Sequence, residues 1–332
     1  MGTDLIKLCV DTARGNVVDY SKGEADSVIR KAFVEMLGTD KVDYKCFRRH
    51  KVEIFEIIEE VAIQTITNGQ TTQNAFYNQF VEDRNLALGD TNSFYIENPT
   101  ILTVSKFSGN NWDLKRQRVE AGDEITVQTY NYGVKVYAYF TQFVSGRISW
   151  VELVAKIQEA IDTFMASLVQ TSFANSLTAI PAQFKATGTY SESATLDVCD
   201  HVQAANLNSQ ITLVGTRTAL SKLTGAVDIK FSDGMKDEKN AFGYVKIWNG
   251  YKCMLLDQVH KVNTFDFAMP NDKIFVLPTD VKPIKLVNEG VAYMSEISDG
   301  TSNMDASMEY SLVFKLGTAV AFNKLFGYVT VA

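Results

Sequence analysis

The side chains that could do chemistry are few and far apart. Histidine occurs three times, as His50, His201 and His260, and cysteine four times, as Cys9, Cys46, Cys199 and Cys253. A structural zinc site or a redox pair needs thiols a few residues apart, and no Cys-x-x-Cys occurs. Neither a His-Glu-x-x-His helix nor the acidic spacing of a calcium loop is present. The segment Val214-Gly215-Thr216-Arg217-Thr218 sits between a predicted strand and a predicted helix, where backbone N–H groups can cradle a phosphate. It lacks the second glycine and the Gly-Lys-Ser/Thr ending of a phosphate loop. A capped strand–helix turn is the better reading. Adjacent carboxylates, Asp123-Glu124 and Asp237-Glu238, point different ways on a strand or loop, so they make poor acid–base pairs. No catalytic residue, metal or cofactor is expected, and the chain is expected not to be an enzyme.

One charged cluster stands out. Arg48, Arg49, His50 and Lys51 precede Glu53, Glu56, Glu59 and Glu60. On a helix, opposite charges four apart pair for a few tenths of a kcal/mol each. That makes a solvated face, or a functional basic patch of Arg48, Arg49 and Lys51; both readings stay open.

Composition sets the class. The 332 residues are 46% hydrophobic and 21% charged, enough for a sizeable core and against global disorder. The net charge of −7 disfavours general nucleic-acid binding. The first twelve residues lack the apolar run of a signal peptide, so reduced thiols are expected. No run of 18 apolar residues occurs, and no membrane is expected as a partner.

The elements that must position any site fall in a distinctive order. A capping box at Ser21–Glu24 opens a predicted helix that ends at Gly38; a second is expected from about 43 to 67. Phe76, Tyr77, Phe80 and Val81 suggest a short helix, and 86–89 a turn. From Phe94 the period becomes that of strands: 101–107, 124–130 and 134–143, with a polar middle around 112–120. Ser149 to Glu152 is another capping box, opening a helix with Leu153, Ile157, Ile161, Phe164, Met165 and Leu168 on one stripe. Running to about 175, it would be roughly 40 Å long. A mixed region follows. It has a strand at 211–214, a helix through Leu223, a charged loop at 231–240, a hairpin about Asn249-Gly250, and a strand at 273–277. Two closing strands, 308–316 and 317–331, end the chain.

The aromatic residues are unevenly placed. Thirteen lie between 76 and 143, among them Phe94, Tyr95, Phe107, Trp112, Tyr130, Tyr132 and Tyr137. The strands between them lack a second apolar layer. A ribbon of two or three strands is marginal alone in water. It must lie on its own domain or on another copy of the chain, and aromatic residues with Arg are enriched where subunits meet. Composition leaves both open.

The quoted strings 85–90 (Asn-Leu-Ala-Leu-Gly-Asp), 104–117 (from Val104-Ser105-Lys106-Phe107 through Trp112 to Arg116-Gln117), 132–137 and 146–150 resemble tailed-bacteriophage major capsid proteins with the Hong Kong 97-type fold. The resemblance covers nearly the whole chain and is strongest from about 50 to 180. It implies an α+β fold with an N-terminal helical arm (1–92), an extended β-hairpin loop (93–145), a peripheral domain with a long spine helix (146–195 and 270–332) and an axial domain (196–269). It further implies that the loop lies across a neighbouring subunit, with Phe107, Trp112, Lys115, Arg116, Arg118, Tyr130 and Tyr132 at the contact. Some members crosslink a loop lysine to an asparagine; Lys106 or Lys115 could serve, but no motif fixes an acceptor, and no crosslink is expected. Some members lose an N-terminal scaffold segment; with Met1 first, no such cleavage is expected. The implied partners are the chain itself, as hexamers and pentamers, packaged double-stranded DNA by non-specific contact, and portal, scaffolding and decoration proteins. The implied place is the virion, after assembly in the host cytoplasm. An encapsulin-like cargo compartment of the same fold is the alternative, and an α/β enzyme using the Gly215 turn a remote one.

Overall fold

The computed structural model describes residues 28, 31–32, 56, 59–60, 63, 75–90, 92–96, 98, 102–106, 109, 116–119, 121–139, 150–223, 233–297, 307–321 and 324–331. The predicted helices at 21–38 and 43–67 lie outside these, apart from isolated positions, each helical. The described chain begins with helix α1 (Ala75–Phe80), whose Phe76, Tyr77 and Phe80 are buried. It passes without a loop into strand β1 (Val81–Leu86). A turn follows, in which Asp90 N–H donates to Ala87 O and Gly89 takes φ 89°.

The largest helix, α2 (Trp150–Ser176), follows the expected span. Ile157, Ile161, Met165, Val169, Phe173 and Leu177 are buried at intervals of four, and so form one stripe. That stripe covers a five-stranded sheet built on β12 (Ser307–Val320). Antiparallel to β12 run β4 (Tyr130–Tyr139) on one edge and, in turn, β10 (Ile284–Glu289) and β11 (Tyr293–Ile297) on the other. Strand β1 lies parallel to β10. Leu312, Phe314 and Leu316 alternate inward from β12 with half-buried neighbours, the period-two pattern of a sheet with one core face.

The second sheet has six strands, in the order β5 (Lys185–Ala186), β13 (Gly327–Thr330), β9 (Lys273–Pro278), β6 (Ile211–Gly215), β8 (Tyr251–Leu255), β7 (Ile247–Trp248). All five residues of central β6 are buried, as a strand covered on both faces requires. Helix α3 (Glu192–Ala205) packs on it through Val198, Cys199 and Val202. Thr216 caps the short helix α4 (Arg217–Lys222): its hydroxyl accepts from Ala219 N–H at 3.3 Å. Between β7 and β8, Asn249 (φ 45°) and Gly250 (φ 86°) both take the positive φ of a type I′ turn.

Four expectations differ from the structure. The charged stretch 231–240, expected as a loop, holds a helix, α5, at Asp233–Phe242. None of its residues from 234 to 242 is fully buried, so no apolar stripe announces it. The two closing strands are both present, but they divide later than expected: β12 runs straight through Gly317 to Val320, and β13 begins at Gly327. A side chain there would meet the Gln128 carbonyl oxygen at 2.4 Å, so the glycine marks a close approach of backbones rather than a turn. Finally, residues 102–106 carry no strand pairing, and the stretch 124–130 breaks at 127–129, between β3 (Asp123–Thr126) and β4.

Phe173 joins the two sheets. Its ring lies 4.9 Å from Phe275 of β9, 5.7 Å from Phe326 and 6.3 Å from Phe76 of α1. It is fully buried. Phe173→Ala leaves a cavity where three elements meet, and should cost about 3–5 kcal/mol in chemical denaturation of the unassembled subunit. A loss below about 1 kcal/mol would contradict this role.

Asp83 shares the core-side face of β1 with Val81, opposite Leu286 of β10. Burial pushes its carboxyl up to about 6. The folded state therefore binds a proton that the unfolded chain, titrating near 3.9, does not. This contribution makes the subunit most stable below pH about 4 and weakens it as pH rises to 6. Asp83→Asn should stabilise the subunit at pH 7 by roughly 1–3 kcal/mol and flatten that part of the pH profile, read from urea midpoints. An unchanged profile would contradict it.

Candidate assembly interface

The expected ribbon leaves the body after Gly89 and returns at β4, and each root is held by charge. At the first root, strand β2 (Ser93–Ile96) carries Phe94, buried against Val127 and Val287. The Arg84 guanidinium lies 4.0 Å over the Phe94 ring and the Lys285 ammonium 5.5 Å from it. Arg84 also donates to Ser93 O at 3.2 Å. Glu82 sits between the two cations, bonded to Arg84 at 2.7 Å and to Lys285. Burial alone would raise the Glu82 carboxyl; the bonds from Lys285 and Arg84 outweigh it and hold the group below its ordinary value.

The second root is the break at 127–129. Val127 is buried, and its carbonyl accepts from the Asn92 amide at 2.5 Å. Thr129 Oγ1 donates to Glu289 Oε2 at 2.5 Å, and Lys315 pairs with Glu289 at 2.8 Å. Those two partners pull the Glu289 carboxyl below its ordinary value. From there β4 lies along β12, with Lys135 paired to Glu309 across the strands.

Beyond the roots the ribbon has little of its own to stand on. Strands β2 and β3 pair antiparallel, and Gly122 N–H donates to the Tyr95 hydroxyl at 3.0 Å. A Cβ at Gly122 would lie 1.9 Å from Ile96 O, so only glycine fits. Further out, one side chain replaces a ladder of backbone bonds. Gln117 Oε1 accepts from Thr103 N–H at 2.7 Å, and Gln117 Nε2 donates to Thr103 O at 2.6 Å. The amide imitates a neighbouring strand at one point. Around it Val104 is 96% exposed and Val119 78%.

The expected contact residues divide. Arg116 and Arg118 are exposed on the returning limb. Tyr130 is exposed and donates to Gln128 Oε1 at 2.9 Å. Tyr132 is used inside its own subunit: its ring lies 4.7 Å from Phe164 of α2 and 6.2 Å from Phe314 of β12. Phe107, Trp112 and Lys115, and the cluster Arg48, Arg49 and Lys51, lie outside the described residues. Sequence reasoning missed Arg84, Gln117, Val104 and Val119. The valines had a signal, an apolar residue on a limb with no second layer; Arg84 and Gln117 had none.

Elsewhere the chemistry is quiet. Burial pushes the Cys199 and Cys253 thiols up to about 12, which leaves them poor nucleophiles. Among the described residues no three His, Cys, Asp or Glu side chains gather as a metal site, and no helix is long and apolar enough to cross a membrane.

Comparison with known proteins points the same way. The family described as "SPbeta prophage-derived putative capsid protein YonB" matches residues 4–330. Curated protein sequences return no match. The mature capsid of bacteriophage PhiM1 is similar over 78% of this chain and 87% of its own, at 13% identity and a TM-score of 0.51. The structure of Microbacterium phage Oxtober96 is similar over 78% of this chain and 91% of its own, with the same identity and score. At such identity the likeness speaks for the fold, which is that of phage capsids, α+β and of the Hong Kong 97 type. The family match spans nearly the whole chain, and the protein therefore belongs to the YonB family of prophage-derived capsid proteins.

Proposed function

We propose that this chain is the major shell subunit of a tailed-phage head, and that it works by association rather than by catalysis. The observation that carries the reading is the ribbon. It is clamped by ion pairs where it leaves the body, and beyond them it offers Val104 and Val119 almost wholly to water. Isolated exposed apolar residues are ordinary. Here they lie on two extended limbs that, around Val104 and Val119, the amide of Gln117 holds together, and such limbs gain by lying on a second surface. A neighbouring subunit supplies that surface, with Arg116, Arg118 and Tyr130 at the contact. Many such contacts closing together make weak pairings durable.

The division of labour follows the resemblance. Residues 93–145 form the extended loop, 1–92 an N-terminal arm carrying Arg48, Arg49 and Lys51, 146–195 and 270–332 the peripheral domain, and 196–269 the axial domain. Hexamers and pentamers of the chain enclose double-stranded DNA. An acidic subunit, at −7, meets that DNA through local backbone contacts rather than sequence readout. Portal, scaffolding and decoration proteins complete the head. Family membership favours a phage head over a compartment that holds cargo enzymes.

Electron microscopy of the purified full-length chain is expected to show closed shells under some condition of protein concentration and salt. Deleting 108–120 should leave a folded, soluble subunit that forms none, and Val104→Asp with Val119→Asp should lower shell yield at least about tenfold. Only monomers or small oligomers of the unmodified chain would contradict the shell reading. Normal shells from the deletion would contradict the role of the ribbon.

A further inference from the structure

Two surface features outside the ribbon suit one another: one displays an aromatic ring beside a carboxylate, the other is a partly apolar hollow with two lysines and one aspartate in its walls. The first is a projecting hairpin, 259–268. Lys261 N–H donates to Asp266 O at 2.8 Å, Thr264 N–H to Lys261 O at 3.1 Å, and Ala268 N–H to Val259 O at 2.9 Å. Asn263 turns the chain with φ 59°. His260 stacks on Phe267, with ring centres 5.4 Å apart, and meets Phe265 edge-on at 6.0 Å. The tip is thus braced from within, yet it holds Phe265 at 93% exposure with Val262 and Phe267 half exposed beside it. A flexible loop could tuck its phenyl ring away; this backbone is tied in the conformation that displays it.

The second feature is a concavity of about 620 Å³ beside the edge strand β7, the last strand of the six-stranded sheet. Its walls include Tyr244, Ile247, Met254 and Leu255, and its charged groups are two cations, Lys246 and Lys252, and one carboxylate, Asp257. Ile247 is 61% exposed there. A dry cavity of about 150 Å³ already holds a benzene ring, so this one takes a phenyl group and its neighbours.

We propose that the Phe265 tip of one subunit seats in the Tyr244–Leu255 concavity of a second copy of this chain, bringing Asp266 against Lys246 and Lys252. This deepens the shell reading and rests on it. The tip cannot serve its own concavity, since Phe265 stands in water in the single subunit. Tip and concavity are different surfaces of one chain, so the contact is head-to-tail, and when the rotation closes it makes a ring. A buried aromatic anchor in a partner's pocket, with opposite charge at its side, is the usual form of an interface hot spot.

The test uses the full chain under conditions where it forms shells. Phe265→Ala should lower shell yield about tenfold or more at fixed protein concentration. Asp266→Lys should lower it too, and adding Lys246→Asp with Lys252→Asp should restore it. In shells of the double variant Val262→Cys, Ile247→Cys, which keeps Phe265, oxidation should give a ladder of covalent oligomers on a denaturing gel without reductant, whereas either single variant gives none. Intact shells of the double variant with no ladder, or unchanged yield from Phe265→Ala, would overturn the proposal while leaving the shell reading in place. Absence of shells from the unmodified chain would overturn both.

Discussion

Strand β12 is the constraint on which the rest of the structure depends. It pairs with β4 along one edge and with β10 and β11 along the other, and through Leu312, Phe314 and Leu316 it carries the seat of the long helix. A strand in that position must satisfy backbone groups on both sides and pack one face, so it admits no interruption. Gly317 shows how tightly this binds. The chain comes so close to Gln128, where the ribbon returns, that no side chain fits between them. Where the ribbon joins the body is therefore decided within the sheet, before any partner is met.

The ribbon itself obeys the opposite rule. At its roots the apolar residues Phe94 and Val127 are buried, and charged groups lock them by position: Glu82 with Arg84 and Lys285, and Glu289 with Lys315 and Thr129. Past the roots the described limbs meet through the short β2–β3 pairing and, further out, through the amide of Gln117. A rigid hinge bearing an underdressed arm is what reaching a neighbour requires. The two described cysteines, Cys199 and Cys253, are buried as small apolar groups.

Much of this was legible in the sequence, and the failures have physical causes. The spine helix announced itself through a stripe at 3.6-residue spacing, and the hairpin through Asn249-Gly250, since both signals are local. Helix α5 was hidden because it buries no stripe. The point where the closing strands divide was hidden because Gly317 looks like a turn residue until the chain that crowds it is known. Tyr132 and Tyr130 read alike, two residues apart on one strand, yet one packs on Phe164 and the other stands in solvent. That distinction lies in which partner covers each end of the sheet. Arg84 acts through Phe94 and Ser93, contacts formed only by the fold.

The central claim is that the outer ribbon finds its covering surface on another subunit, and amide hydrogen exchange tests it most directly. Exchange should be followed for the isolated subunit and for assembled shells in the same buffer. In the subunit, residues 102–106 and 116–119 should exchange rapidly, while β12 and β6 stay protected. On assembly the ribbon should gain protection of at least about tenfold, with the central strands little changed. Ribbon amides that exchange equally fast in subunit and shell would contradict the account.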